Sequence, residues 1–176
     1  ARVHGQAELV AVVNTGDDHE FYGVPVCPDL DIVTYTLAGV IDRERGFGLA
    51  GDSFHLMDRL AELGHETWFR LGDRDFAQCL HRGLRLRAGA GLGEVTDELR
   101  RGFGLACRIL PMSEEACPTR VELTDGRRLH FEEYLVREHA PDCVRAIDLS
   151  AAEKARPTNG LLELLASARR ILVCPS

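Results

Sequence analysis

Residues 9–18 read LVAVVNTGDD, and this short run sets the expected fold class of the 176-residue sequence. Residues 9–13 form a continuous apolar run, which is typical of a strand buried on both faces of a parallel sheet. Residues 14–18 then form a polar loop with a glycine hinge. In open α/β sheets the loops after such strands line the ligand crevice. We therefore expect an α/β protein whose functional site includes residues 14–18.

A helix is expected to begin near the segment Cys27-Pro-Asp-Leu-Asp31, because proline and aspartate favour the first helical turn. Its apolar residues recur at helical spacing, at Leu30, Val33, Leu37 and Val40. Asp52 or Ser53 is expected to cap a second helix, at 51–63. The same patterns predict helices from about 73 to 87 and at 92–102 and 159–168, and strands at 67–69, 105–110, 120–124, 127–131, 144–149 and 171–174.

This order of elements predicts three segments. Residues 1–73 would form the first part of an α/β core, residues 74–104 a small and mostly helical insertion, and residues 105–176 a strand-rich return to the core. Within the last segment, Asp125-Gly126 suits the type I′ turn of a hairpin, whose second strand is expected to reach Arg137. Glu132 and Glu133 would then lie on a solvated face.

Composition and charge exclude several classes of protein. Apolar residues make up 45% and charged residues 28%, which is typical of a globular domain, and the net charge of −7 argues against a nucleic-acid-binding surface. No apolar run approaches the ~20 residues of a membrane helix, and we expect no signal peptide. The six cysteines contain no Cys-x-x-Cys pair. We therefore expect a cytoplasmic protein with reduced, mostly buried thiols.

Acidic residues follow the predicted strands and begin the predicted helices. Because these positions meet at one edge of an α/β sheet, we expect their carboxylates to lie together and to need a cation or a proton between them. Oxygen ligands of this kind suit Mg²⁺, which usually binds together with substrate phosphates. Two arginines, Arg70 and Arg74, add donors for a phosphate or a heterocycle. The acidic residues are Asp17, Asp18, Asp29, Asp31, Asp73 and Asp75.

Each of these residues also has a purely structural interpretation. Asp17 and Asp18 could shape a turn, since aspartate side chains bond their own backbone. Asp29, Asp31 or Asp75 could cap a helix. Arg74 could pair on the surface with Asp73 or Asp75. Their shared location is what favours a site.

Eight segments together resemble the 2-phospho-L-lactate transferase family of coenzyme F-420 biosynthesis. The resemblance is colinear across nearly the whole sequence, and it is most specific in Pro-Asp-Leu-Asp and Leu-Gly-Asp-Arg-Asp. The segments are Val13-Asn-Thr-Gly-Asp-Asp18, Cys27-Pro-Asp-Leu-Asp31, Tyr35-Thr-Leu-Ala-Gly39, Ile41-Asp-Arg-Glu-Arg-Gly46, Trp68-Phe-Arg-Leu-Gly-Asp-Arg-Asp75, Leu86-Arg-Ala-Gly89, Leu110-Pro-Met-Ser113 and Cys174-Pro-Ser176.

The resemblance implies a Rossmann-like three-layer core with a small inserted lobe. It implies transfer of a phospholactyl or phosphoenolpyruvyl group from a GDP-activated three-carbon acid to the ribityl hydroxyl of the deazaflavin Fo, with release of GMP and a requirement for Mg²⁺. Related enzymes are dimers, so a homodimer is a possible assembly.

The resemblance also implies roles for individual residues. Asp31 and Arg70 would contact the deazaflavin, and Asp31 together with Asp17 would be the catalytic carboxylates. Asp17, Asp18 and Asp29 would hold the metal. Substrate binding would extend to Asn14, Asp18, Asp29, Asp73 and Arg74.

Several expectations qualify this assignment. Members of the family have a glycine-rich loop before the region where this sequence starts and further strands after Cys174-Pro-Ser176, so we expect a fragment that is inactive alone. An alternative is a non-enzymatic Rossmann-like regulator that binds a nucleotide or nucleotide sugar, and another is an interaction domain with a decayed site. The identity of the three-carbon acid stays open.

Overall fold

Helices and strands are mixed along the chain, as the sequence predicts for an α/β protein. The computed structural model describes residues 8–174. Its strands are β1 (Val10–Val13), β2 (His19–Phe21), β3 (Val24–Val26), β4 (Arg108–Pro111), β5 (Arg120–Leu123), β6 (Arg128–His130) and β7 (Val144–Asp148). Its helices are α1 (Pro28–Ala38), α2 (His55–Glu62), α3 (Asp73–Arg87), α4 (Leu92–Gly102), α5 (Leu161–Ser167) and a π-helical turn at Glu133–Arg137.

The strands form three small sheets. β1 pairs with β4 in parallel, with Val10 opposite Arg108 and Val13 opposite Pro111. β2 and β3 form an antiparallel pair, and β6-β5-β7 is an antiparallel three-stranded sheet. The mixture of helices and strands, with β1 and β4 parallel, is compatible with the expected α/β class, whereas the Rossmann-like three-layer core and the three-segment division stay predictions.

The expectation that β1 is buried on both faces is wrong for these residues. Val13 is buried, but Val12 on the opposite face is 41% exposed. The continuous apolar run reflects the parallel pairing with β4, but the described part of the chain places no layer over Val12.

Helix α1 turns a polar face inward, contrary to the predicted apolar stripe. Its buried residues are Leu30, Asp31, Thr34 and Tyr35, while Leu37 is 42% exposed. The helix ends at Gly39, whose positive φ of 71° suits glycine. The helical period is present, but the side that faces the interior carries the carboxylate and the phenol.

The starts of α2 and α3 exchange capping carboxylates. The sequence predicted that Asp52 or Ser53 caps α2, and this prediction is wrong. Asp73 on α3 instead accepts hydrogen bonds from the backbone N–H groups of His55 and Leu56. In return, Asp52 accepts from the backbone N–H groups of Arg74 and Asp75. Each carboxylate therefore satisfies the otherwise unpaired donors at the start of the other helix.

Two predicted strands take other forms. The Thr67–Phe69 segment forms no ladder; Trp68 and Phe69 instead pack their rings on Phe21, at centroid distances of 5.3 and 4.0 Å. The apolar run 171–174 is also not a strand, and Leu172 and Val173 are 87% and 92% exposed. An apolar run becomes a strand only where another strand pairs with it, and residues 8–174 offer none.

The β5–β6 hairpin is confirmed, but its turn is not type I′. Only Gly126 has a positive φ, 89°, and its N–H donates to Leu123 O, whereas type I′ needs two such residues. After β6 the chain does not continue as a strand to Arg137 but coils into the π-helical turn. This turn brings Glu132 inward, and Glu132 is only 6% exposed rather than solvated.

Two apolar clusters hold these elements together. Phe21, Val24, Val26, Met57 and Leu71 form one with Cys79 of α3, and Val13, Cys27, Leu30, Leu92 and Ile109 form the other. Among residues 8–174, none of the helices combines the length and the apolar character needed to cross a membrane. The second cluster fixes the end of β1 against the start of α1, where the predicted site residues lie.

Candidate active site

The loop after β1 is held against the start of α1 by one asparagine. Asn14 Nδ2 donates to Asp29 Oδ2 at 2.8 Å, while Asn14 Oδ1 accepts from the backbone N–H of Gly16 at 2.9 Å. Gly16 leaves room for this loop, because a Cβ there would lie 2.6 Å from Thr119 Oγ1 and would force that side chain to shift. The structure thus brings together the loop after β1 and the first turn of α1, as the sequence predicts.

Three carboxyl groups at this junction have raised pKa values. Burial, followed by repulsion from Asp29, raises the pKa of Asp17 to about 6. Burial likewise raises the pKa of Asp18 to about 7, although the Cys27 thiol and the distant charge of Arg82 oppose it. Burial, then Asp17 and Asp29, raises the pKa of Glu132 to about 7. Acidic side chains therefore converge here with too little positive charge to balance them.

Glu132 reaches the junction through the residue two positions before it. His130 Nε2 lies 3.2 Å from the backbone oxygen of Asp18, and the His130 ring stacks on His19 with centroids 4.3 Å apart. Burial, then the neighbouring His19, lowers the pKa of His130 to about 4. Neither Glu132 nor His130 was predicted as a site residue, because an acidic pair after a short strand is typical of a solvated edge.

Asp31 is buried on α1 and pairs with an arginine that the sequence analysis also missed. Arg82 of α3 donates through Nη2 to Asp31 Oδ1, and the two side chains are 2% and 10% exposed. Burial raises the pKa of Asp31, and the charge of Arg82 opposes that rise. The spacing along α3 could have indicated that Arg82 is buried. Arg82 follows buried Cys79 by three residues, so both lie on the buried face of the helix.

Asp75 lies beside this pair and completes a polar network between α1 and α3. Tyr35 Oη donates to Asp75 Oδ1 at 2.7 Å. Burial, then repulsion from Asp31, raises the pKa of Asp75 to about 6. Ligand atoms of Asp31, Asp75 and Cys79 lie within 4.8 Å of one another. Because Arg82 and Tyr35 already donate to the two carboxylates, these residues form a hydrogen-bonded network in this structure.

Arg70, Asp73 and Arg74 make their contacts elsewhere, around the starts of α2 and α3. Arg70 Nη2 pairs with Asp58 at 2.7 Å, and its guanidinium lies 5.1 Å from the centre of the Phe54 ring. Asp73 caps α2, and Arg74 Nη2 donates to the backbone oxygen of Ala50 at 2.7 Å. The substrate-binding roles expected for these three residues stay predictions, and each has a structural contact of its own.

The acidic junction fits a hard divalent cation. Carboxylate oxygens are the ligands that Mg²⁺ prefers. Asp18 Oδ1 is buried and has no hydrogen-bond partner among residues 8–174. Asp17, Asp18 and Asp29 do not form a close-spaced triad such as that of Asp31, Asp75 and Cys79. In proteins Mg²⁺ typically keeps water ligands and binds through one or two carboxylates plus substrate phosphates.

Comparison with known proteins identifies a matching family and several relatives. Residues 2–176 match the family described as 2-phospho-L-lactate transferase CofD. A phosphoenolpyruvate transferase of Kitasatospora aureofaciens is 44% identical over 180 residues, covering 100% of this chain and 56% of the relative. Proteins of the same name from Streptomyces avermitilis and Streptomyces coelicolor are each 42% identical, over 99% and 97% of this chain and 56% and 54% of their own lengths.

The chain spans about half the length of these curated relatives. The family match nevertheless covers nearly every residue, and it includes the junction of β1 with α1 and the network between α1 and α3. On this match, the chain belongs to the 2-phospho-L-lactate transferase CofD family.

Proposed function

We propose that the protein transfers a phosphoenolpyruvyl group from a GDP-activated donor to the terminal ribityl hydroxyl of the deazaflavin Fo. Family membership supports a transfer reaction of coenzyme F-420 biosynthesis. The name shared by the relatives favours phosphoenolpyruvate over phospholactate as the group transferred. In the reaction the hydroxyl oxygen forms a bond to the phosphorus of the three-carbon phosphate, the bond from that phosphorus to the bridging oxygen breaks, and GMP leaves.

The observation that carries the proposal is the acidic junction between β1 and α1. A diphosphate donor is itself negative, so it binds beside Asp17, Asp18 and Asp29 only together with a cation. Burial has already raised the pKa of Asp17 and Asp18 to about 6 and about 7, so both carboxyls gain from a neighbouring positive charge. A phosphoryl-transfer site of this kind works mainly by positioning and charge neutralisation.

In this proposal Asp17, Asp18 and Asp29 hold Mg²⁺, which would neutralise charge on the donor diphosphate. Asn14 fixes the orientation of Asp29 through their 2.8 Å hydrogen bond. Asp31 orients the acceptor hydroxyl and accepts its proton as the new bond to phosphorus forms. Arg70 would exchange its surface partner Asp58 for the deazaflavin, while Asp73 and Arg74 shape the neighbouring wall.

A fluorescence titration of the complete protein with Fo, with and without Mg²⁺, tests the proposal. We expect saturable binding, and we expect GMP release only when the GDP-activated donor is added. Asp31→Asn should lower turnover by about 100-fold or more, because general-base catalysis contributes roughly that factor. Asp148→Asn is the matched control, since Asp148 pairs with Arg128 on β6.

The outcomes separate the competing functions. Normal turnover by Asp31→Asn would reject its role as the base. Absence of Fo binding by a folded protein that still binds a guanine nucleotide would favour the nucleotide-binding regulator.

A further inference from the structure

The buried arginine Arg82 has no role in the reaction as described so far. It lies on α3 in a row with Asp75 and Cys79, at positions i, i+4 and i+7, which share one face of a helix. That face meets the face of α1 formed by Asp31 and Tyr35. Two polar contacts cross between the helices: Arg82 to Asp31, and Tyr35 to Asp75.

The position of Arg82 is fixed from three sides. Besides Asp31, its guanidinium donates through Nη1 to the backbone oxygen of Pro25 on β3 at 3.2 Å, and Nη1 lies 3.8 Å from Cys79 Sγ. Gly83 lets α3 approach β3 this closely, because a Cβ there would meet Pro25 Cδ at 2.9 Å. Burial works against the charge of Arg82, but the nearby Asp31 holds its pKa well above the usual value, so the guanidinium stays charged.

Stability alone does not explain an ion pair at this depth. Removing two charges from water costs several kcal/mol, and well-packed apolar residues of similar volume are often as stable or more so. Asp31, however, has one oxygen committed to Arg82, while a tenth of its side chain is exposed. The backbone N–H of Cys27 also stabilises the charged form of this carboxylate. A carboxylate held in this way has one fixed orientation.

We propose that Arg82 is a positioning residue, which holds Oδ1 of Asp31 and so fixes the orientation in which this carboxylate meets the acceptor hydroxyl. Arg82 itself does not touch the substrate. The contact of Tyr35 with Asp75 keeps α1 and α3 in register around this pair. The inference rests on the proposed function, because it assigns Arg82 to the same acceptor site.

A double-mutant cycle in the complete protein tests the inference. The variants are Arg82→Met, Asp31→Asn and the double variant, and the readouts are kcat and KM for Fo and the dissociation constant of Fo from its fluorescence. Arg82→Met should lower kcat by about 100-fold, the cost of a misplaced reacting group, with a smaller change in the dissociation constant. In the Asp31→Asn background the same substitution should change kcat by less than about threefold, because Arg82 acts only through Asp31.

Arg85→Met is the matched control. Arg85 is the next arginine on α3, and it pairs with Glu94 and Glu98 of α4 instead of Asp31. It should leave kcat within about twofold of the wild type, as expected for a surface pair.

A structural role would give a different pattern. If Arg82→Met lowered kcat equally with and without the Asp31 carboxylate, or left kcat unchanged in the wild-type background, the positioning role would be overturned. Should Arg82→Met fail to fold, Arg82→Lys replaces it in the cycle, because lysine keeps the charge and loses the guanidinium geometry. Arg82→Lys should lower kcat partly in the wild-type background. In the Asp31→Asn background it should cause no further loss of kcat. A wild type that neither binds Fo nor transfers the group would reject the proposed function itself.

Discussion

Replacing Gly72 by alanine should destabilise the protein, although the backbone at Gly72 accepts alanine. Its φ of −67° and ψ of 159° are ordinary for any residue. On backbone grounds alone the substitution would stabilise by about 0.4–1 kcal/mol, because it restricts the unfolded chain. A Cβ at this position, however, would lie 2.3 Å from Oδ2, 2.6 Å from Cγ and 2.9 Å from Cβ of Asp52.

Asp52 cannot move aside without loss. Its carboxylate accepts hydrogen bonds from the backbone N–H groups of Arg74 and Asp75 at 3.1 Å, and these are first-turn donors of α3. Losing such a cap costs about 0.5–2 kcal/mol, and overpacking adds about 1–3 kcal/mol. After subtraction of the backbone gain, we expect Gly72→Ala to lower the free energy of unfolding by about 0.5–4.5 kcal/mol.

The sign should reverse once Asp52 is gone. In an Asp52→Gly background all three close contacts disappear, so Gly72→Ala should stabilise by about 0.4–1 kcal/mol. Urea unfolding followed by circular dichroism measures the free energy of unfolding of the wild type, both single variants and the double variant. Gly102→Ala is the control, because no atom lies within 4 Å of its Cβ position and helix propensity favours alanine by at most about 1 kcal/mol. An equal loss from Gly72→Ala in both backgrounds would refute the capping interpretation.

Three other results are expected. Because the pKa of Glu132 is raised to about 7, this carboxyl favours folding at low pH and opposes it as the pH rises through that value. Glu132→Gln should therefore gain stability over the wild type between about pH 4 and pH 8 in urea unfolding, and a pH-independent difference would contradict this. Tyr35→Phe removes the donor to buried Asp75 and should cost about 1–3 kcal/mol in thermal unfolding; an unchanged melting temperature would show that the hydrogen bond contributes nothing. In native-state thiol labelling three cysteines should react well before the rest, and a single rate for all six would be inconsistent with their burial. The fast group is Cys107, Cys143 and Cys174, and the slow group is Cys27, Cys79 and Cys117.

The elements with strong local signals could be predicted from the sequence. Helix α4 spans Leu92–Gly102 as expected, because its apolar stripe lies between glycines that suit both ends. The junction of the β1 loop with α1 was also predictable, since its aspartates follow a strand and open a helix. By contrast, the run 171–174 has the composition of a strand, but composition does not supply a pairing partner.

The parts that escaped prediction depend on contacts distant along the chain. Arg82 meets an aspartate 51 positions earlier, and His130 meets the backbone of Asp18 across 112 positions. No local pattern encodes such pairs. The inward face of α1 was missed for a related reason. Asp31 and Tyr35 are polar, and they can be buried only because Arg82 and Asp75 on α3 bond to them. These are the positions that the proposed chemistry uses.

The exchanged carboxylates of α2 and α3 also bear on how this region opens. Helix α2 has only 8 residues, fewer than an isolated helix needs to persist in water. Since Asp73 supplies the first-turn acceptor of α2 and Asp52 that of α3, fraying of one helix start removes the partner of the other. The amide protons of both starts should thus share one opening equilibrium in hydrogen exchange, as a single cooperative unit. The Leu-Gly-Asp-Arg-Asp segment therefore couples the two helix starts, which are either both formed or both frayed.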